Sequence, residues 1–283
     1  MLRTRLILAA IMAPVLMAPA LFAASASAAD TSADTPAHTP ANPAQEAAAL
    51  RYRECVTAVQ TAPEKAVDLA SRWRDVGGGI PAKHCLGLAL FENGKAKNAA
   101  VAFAQAASDL ESGKSQLLGG PIRNTPATVA ALYGQAGNAS LVADDAASAY
   151  QHFSRALKLL EDDPGQQRGN LLIDRARSLA AMKDFRLAKA DLDKAVSDLP
   201  SSIDAWLLRA AAHRHLGQTK AARDDVEQAA RLAPNEPEVL LERATLLARE
   251  GDVTGAQADW TRIVELAPDS PAAAIARENL GQE

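Results

Sequence analysis

The sequence predicts an all-α fold of stacked helical hairpins, and three observations carry the prediction. Residues 169–202, 203–236 and 237–270 superpose without a gap at a step of 34 residues. Small residues recur at the eighth place (Ala176, Ala210, Ala244) and the twentieth (Ala188, Ala222, Ala256), and a proline at the thirty-second (Pro200, Pro234, Pro268). Bulky apolar residues hold the fourth place (Leu172, Trp206, Leu240) and the twenty-fourth (Leu192, Val226, Trp260). A composition of 48% apolar but only 4% aromatic residues suits alanine-packed helices better than a sheet.

Each unit divides into two amphipathic helices of about 14 residues, too short to be stable alone in water. The alanines fall where the two helices cross and let the backbones approach; the large residues fill the space beside the crossing. The proline ends the second helix. Glycine holds the fifteenth place, at the turn, as Gly217 and Gly251. Arginine at place seven (Arg175, Arg209, Arg243) and aspartate at place twenty-three (Asp191, Asp225, Asp259) recur together, which predicts a structural ion pair inside each unit.

This period and these residues resemble the tetratricopeptide repeat family. The resemblance implies a right-handed α-solenoid of about six helix–turn–helix units with a short C-terminal capping helix, whose activity is binding. It also implies a groove lined mainly by first-helix places two, five, nine, twelve and thirteen. Those places supply His84, Leu88, Phe91, Asn138 and Leu141 before the regular units. Within them they supply Asn170, Ile173, Arg177, Asp204, Leu207, Arg214, His215, Glu238, Leu241, Thr245 and Arg249. Arg177, Arg214 and Arg249 would offer donors to a peptide carboxylate or acidic segment. The lysine and asparagine set with which some relatives clamp a C-terminal carboxylate is not reproduced.

From the start of the chain, residues 1–29 read as a signal peptide: Arg3 and Arg5, an apolar run over 6–22, then the small residues Ala24 to Ala29. Cleavage is expected after Ala28 or Ala29, with the periplasm of a Gram-negative bacterium as destination; retention of the run as a membrane anchor is the alternative. Residues 30–45, rich in Ala, Thr and Pro, read as a disordered linker. The repeat domain is expected over 46–283. Its first unit, 47–79, is degenerate, with a shortened first helix and with Pro63 opening the second. Units 80–113 and 130–163 follow, separated by an irregular insertion over 114–126. A five-residue spacer precedes the three regular units, and a cap covers 271–283.

Cys55 and Cys85 are the only cysteines; an even count in an exported chain predicts a disulfide between adjacent first helices. A thiol enzyme using this pair is the sharper alternative, but His84 and Cys85, being adjacent on a helix, point in different directions. His213 and His215, two apart, do not share a face for a metal, so His213 is expected in the core and His215 in solvent. No nucleophile–base or paired-carboxylate constellation is visible, and no cofactor, metal or catalytic residue is expected. Loss of Arg3 and Arg5 with the leader would take the net charge from -4 to about -6, which leaves no footprint for nucleic acid. The expected partner is another protein or a peptide segment, with no membrane insertion once the leader is removed.

Overall fold

The computed structural model describes residues 43–113 and 122–282, all of whose regular structure is helical. They fall into two compact units, one ending at Leu160 and one beginning at Glu161. The first unit contains α1 (Pro43–Thr61), α2 (Pro63–Asp75), α3 (Gly79–Glu92), α4 (Ala96–Glu111), α5 (Pro126–Val142) and α6 (Ala146–Leu159). The second contains α7 (Gln166–Ala181), α8 (Phe185–Asp198), α9 (Ile203–His215), α10 (Thr219–Leu232), α11 (Pro237–Glu250), α12 (Val253–Leu266) and α13 (Pro271–Leu280). In each unit odd- and even-numbered helices pair into three hairpins, and α13 packs on the last. This is an all-α solenoid of short repeats.

The repeat marks explain the packing. The place-eight and place-twenty alanines of the second unit are all buried, as are Leu192, Val226 and Trp260 beside them. In the first unit the same crossing is made differently: place eight is Gly87 or Gly137, and place twenty-four is Phe103 or Phe153. A Cβ on Gly87 or Gly137 would stand 2.5 Å from the phenylalanine ring, so the ring occupies the volume that alanine takes elsewhere. The fifteenth place turns left-handed in every hairpin from α3/α4 onward, with φ of 69° at Gly94, 58° at Asp144, 65° at Lys183, 74° at Gly217 and 89° at Gly251. Glycine is therefore favoured there but not required.

Within the second unit each repeated arginine forks onto its aspartate. Arg175 donates to Asp191 through two bonds of 2.7 Å. Arg209 donates to Asp225 at 2.9 and 2.6 Å, and Arg243 to Asp259 at 2.7 and 2.6 Å. The three aspartates are buried and satisfied by these bidentate contacts. They tie each first helix to its own second helix.

Three element bounds differ from expectation. The first helix of the first hairpin is not shortened; α1 has 19 residues and begins at Pro43, inside the stretch read as linker. Alanine-rich sequence carries no apolar period, yet alanine is the best helix former. Likewise α5 begins at Pro126, with the Thr125 hydroxyl accepting from Thr128 N–H, and α7 begins at Gln166 inside the expected spacer. The stretches read as signal peptide and as linker up to residue 42, and insertion residues 114–121, lie outside the described residues.

Candidate functional site

In the first unit, α1, α3 and α5 are joined by a buried polar bridge. The imidazole of His84 on α3 lies 2.7 Å (Nδ1) from the Tyr52 hydroxyl on α1 and 2.9 Å (Nε2) from Gln135 Oε1 on α5. A neutral ring satisfies both: Tyr52 O–H donates to Nδ1, and Nε2–H donates to Gln135. Tyr52 and Phe103 also meet the ring, with centroids at 5.9 and 5.7 Å. His84 is only 3% exposed, so it forms the floor of the face and not its contact surface, contrary to its placing among the groove residues. Beside it, Cys85 and Cys55 form a disulfide that joins α3 to α1 with a Cα separation of 6.3 Å.

Burial lowers the His84 pKa from 6.5 to about 4, the Gln135 hydrogen bond acting in the other direction. A folded pKa below the unfolded one means that stability is fully present above pH 6.5 and falls as the pH drops toward 4. The loss across that window is on the order of 3 kcal/mol. NMR titration of the imidazole checks this: the ring should stay neutral at pH 5.5, and protonation near pH 6.5 would refute it.

The His84–Gln135 contact sets two rows side by side. One and two turns beyond His84 on α3 are Leu88 and Phe91; beyond Gln135 on α5 come Asn138 and Leu141. All four are half-buried, and none is charged. The Oδ1 of Asn138 is buried without a hydrogen-bond partner. Gln135 was not singled out by sequence, because nothing periodic marks a bond between residues 51 apart.

In the second unit the first helices lie side by side, and their expected groove residues are mostly committed. Ile173, Leu207 and Leu241 are buried core. Arg177 donates to Asp174 at 2.6 Å on its own helix and to Asp204 at 2.7 Å on α9. Arg214 forks onto Glu242 of α11 at 2.7 and 3.3 Å, with side chains 7% and 5% exposed. Burial raises the Glu242 pKa, and Arg214 and then Arg249 oppose that shift. Arg177 and Arg214 are thus bolts between neighbouring hairpins, not donors held out to a ligand. The Thr245 hydroxyl donates to Leu241 O. Asn170 and Arg249 are exposed, and Glu238 is half-buried, its pKa raised by burial and by the nearby Glu236 and Asp204 carboxylates.

His215 is not a solvated residue. Its ring lies flat on Phe185 of α8, with centroids 4.0 Å apart and planes within 2°. Burial, then Arg214 and Arg249, lowers its pKa. His213 is buried, its Nδ1 2.6 Å from Gln218 Oε1. Among the described residues no group of three or more His, Cys, Asp or Glu is placed to hold a metal ion. None of the described helices is long and apolar enough to cross a membrane.

Residues 203–246 match the tetratricopeptide repeat model. No curated protein sequence matches the chain. Among solved structures, the chain is similar to pilF of Pseudomonas aeruginosa, with a TM-score of 0.60 and 15% identity over 84% of this chain and 100% of that one. It is also similar to TTC0263, a tetratricopeptide repeat protein of Thermus thermophilus, at 0.52 and 17% over 71% and 99%. A third is MamA from Desulfovibrio magneticus RS-1, at 0.51 and 19% over 70% and 94%. Residues 203–246 are therefore a tetratricopeptide repeat, and the described chain has the helical-hairpin fold of tetratricopeptide repeat proteins.

Proposed function

We propose that this chain is a non-catalytic interaction module that holds a segment of another protein against the first helices of its hairpins. The observation that carries the reading is the uncharged row of Leu88, Phe91, Asn138 and Leu141, half-buried and set side by side by the His84–Gln135 contact. Half-exposed apolar side chains beside an unsatisfied carboxamide suit a segment that brings apolar side chains and a backbone or side-chain donor. Arg177 and Arg214, engaged with Asp174, Asp204 and Glu242, leave Arg249 as the one exposed arginine of the three expected donors, which makes an acidic ligand the poorer fit.

Affinity capture from extracts of cells that make the protein tests the reading. Leu88→Asp and Asn138→Ala should each reduce recovery of the bound protein at least tenfold with little change in melting temperature. Arg249→Ala, in the second unit, should leave it intact. Equal recovery by wild type and both first-unit variants refutes the proposal.

Export to the periplasm belongs to the same proposal. Its support is the Cys55–Cys85 disulfide, a bond that persists in oxidising compartments. N-terminal sequencing of the mature protein should begin at Ala29 or Asp30; a chain retaining residues 6–22 would be the membrane-anchored alternative.

A further inference from the structure

Cys55 stands one turn after Tyr52 on α1, and Cys85 stands next to His84 on α3. The same two helices are thus joined twice, by the disulfide and by the Tyr52–His84 hydrogen bond. All four side chains are buried. The second unit ties its neighbouring first helices differently. Arg177 pairs with Asp204 between α7 and α9, and Arg214 with Glu242 between α9 and α11. Those ion pairs form whatever the redox state. The tie of α1 to α3 is instead completed by a two-electron oxidation.

This tie reaches the Leu88–Asn138 row through one ring. With the Tyr52 O–H donating to Nδ1, the His84 proton is confined to Nε2, and Gln135 turns its Oε1 to the ring to accept it. The Gln135 amide nitrogen then faces away from Nε2. Take the hydroxyl away and the constraint goes. Either Nδ1 is left buried without its donor, or it takes the proton and Gln135 must present its amide nitrogen to Nε2. Gln135 is half-buried and lies one turn before Asn138, so its orientation sets which polar group stands beside the row.

We propose that the disulfide is a redox latch on this face: the oxidised chain holds its protein segment, and the reduced chain does not. The latch rests on the Leu88–Asn138 row being the binding face, and opening it takes a dithiol. One thiolate of the dithiol attacks a cystine sulfur, the S–S bond breaks, and the other cysteine leaves as a thiolate. The second thiol of the dithiol then displaces the cysteine still attached. Two electrons and two protons pass to Cys55 and Cys85, and the dithiol departs as its own disulfide. Both sulfurs are buried, so exchange waits on local opening of α1, the first described helix. Once the bond is gone α1 loosens, the Tyr52 hydroxyl leaves Nδ1, and the His84–Gln135 contact loses its fixed direction.

The full chain, oxidised or refolded in dithiothreitol, tests the latch below the melting temperature of both forms. With ¹⁵N-labelled histidine, the His84 nitrogens of the oxidised chain should report one tautomer, its proton on Nε2, and those of the reduced chain a mixture. In affinity capture from extracts of cells that make the protein, the reduced chain should recover the bound protein at least tenfold less well. Alkylation should count two thiols in it, and reoxidation should restore recovery. Tyr52→Phe with its disulfide intact should show the same loss, since it removes the hydroxyl and leaves the covalent staple. An oxidised chain that recovers no protein refutes the binding face itself, and the latch with it. Equal recovery by the two redox forms, full recovery by Tyr52→Phe, or a single tautomer that survives reduction overturns the latch alone.

Discussion

Arg214→Ala is expected to destabilise the second unit by about 3–5 kcal/mol, a large fraction of what holds a domain of this size together. The reason lies in what is left behind. Glu242 is buried, and its carboxylate accepts hydrogen bonds of 2.7 and 3.3 Å from the Arg214 guanidinium on the neighbouring first helix. Truncating the arginine strands a charge that burial already disfavours. The pH dependence follows from the sign. With its partner gone, Glu242 has a folded pKa still further above the unfolded value, so the penalty is fully felt at neutral pH and shrinks as the carboxyl protonates. Urea midpoints at pH 7.5 and 5 measure this; the deficit should be smaller at pH 5. Replacing both residues by methionine should recover most of the loss, because apolar pairs of similar volume commonly match buried ion pairs. An Arg214→Ala protein as stable as wild type at pH 7.5 would show that the guanidinium is not holding the hairpins. The same result would return Arg214 to the list of ligand donors.

That residue also marks the boundary of what the sequence made legible. The Arg175–Asp191, Arg209–Asp225 and Arg243–Asp259 pairs could be read because both partners are copied in every regular unit at a fixed separation of 16. Interactions between hairpins carry no such copy. Arg177 reaches Asp204 across 27 residues and Arg214 reaches Glu242 across 28, each once. A lone arginine at a groove place therefore looks the same in sequence whether it is free or bolted. His84 failed for the same reason: its partners lie 32 residues before it and 51 after it, on helices whose phase the first unit's irregular joins obscure. Helix existence was legible throughout from the apolar period. The start of α1 was not, since alanine supplies helix propensity without periodicity. His215 was missed because its partner, Phe185, sits in a turn-to-helix position that the groove places do not include.

The disulfide is where the first unit's irregularity should matter most. Cys55→Ala with Cys85→Ala is expected to lower stability by about 3–4 kcal/mol, the chain-entropy value for a loop closed over this separation of 30 residues. In a chain of this length that corresponds to a fall in melting temperature of about 10 °C. The first hairpin depends on the bond more than any other would. It lacks the forked Arg–Asp pair of the regular units, and α1 is joined to α3 chiefly by the disulfide, the Tyr52–His84 bond and a cluster of small and medium side chains. Loss of the bond should thus loosen α1 and α2 before it unfolds the rest. Hydrogen exchange can resolve that order: amides of α1 and α2 should lose protection in the double variant while those of α11 and α12 keep it. The consequence reaches the binding face, because α1 supplies the Tyr52 hydroxyl that holds His84, and His84 in turn fixes Gln135 beside the Asn138 row. A double variant with unchanged melting temperature and unchanged exchange in α1 would mean that packing alone seats the first hairpin, and that the cysteines contribute nothing to the order of the face.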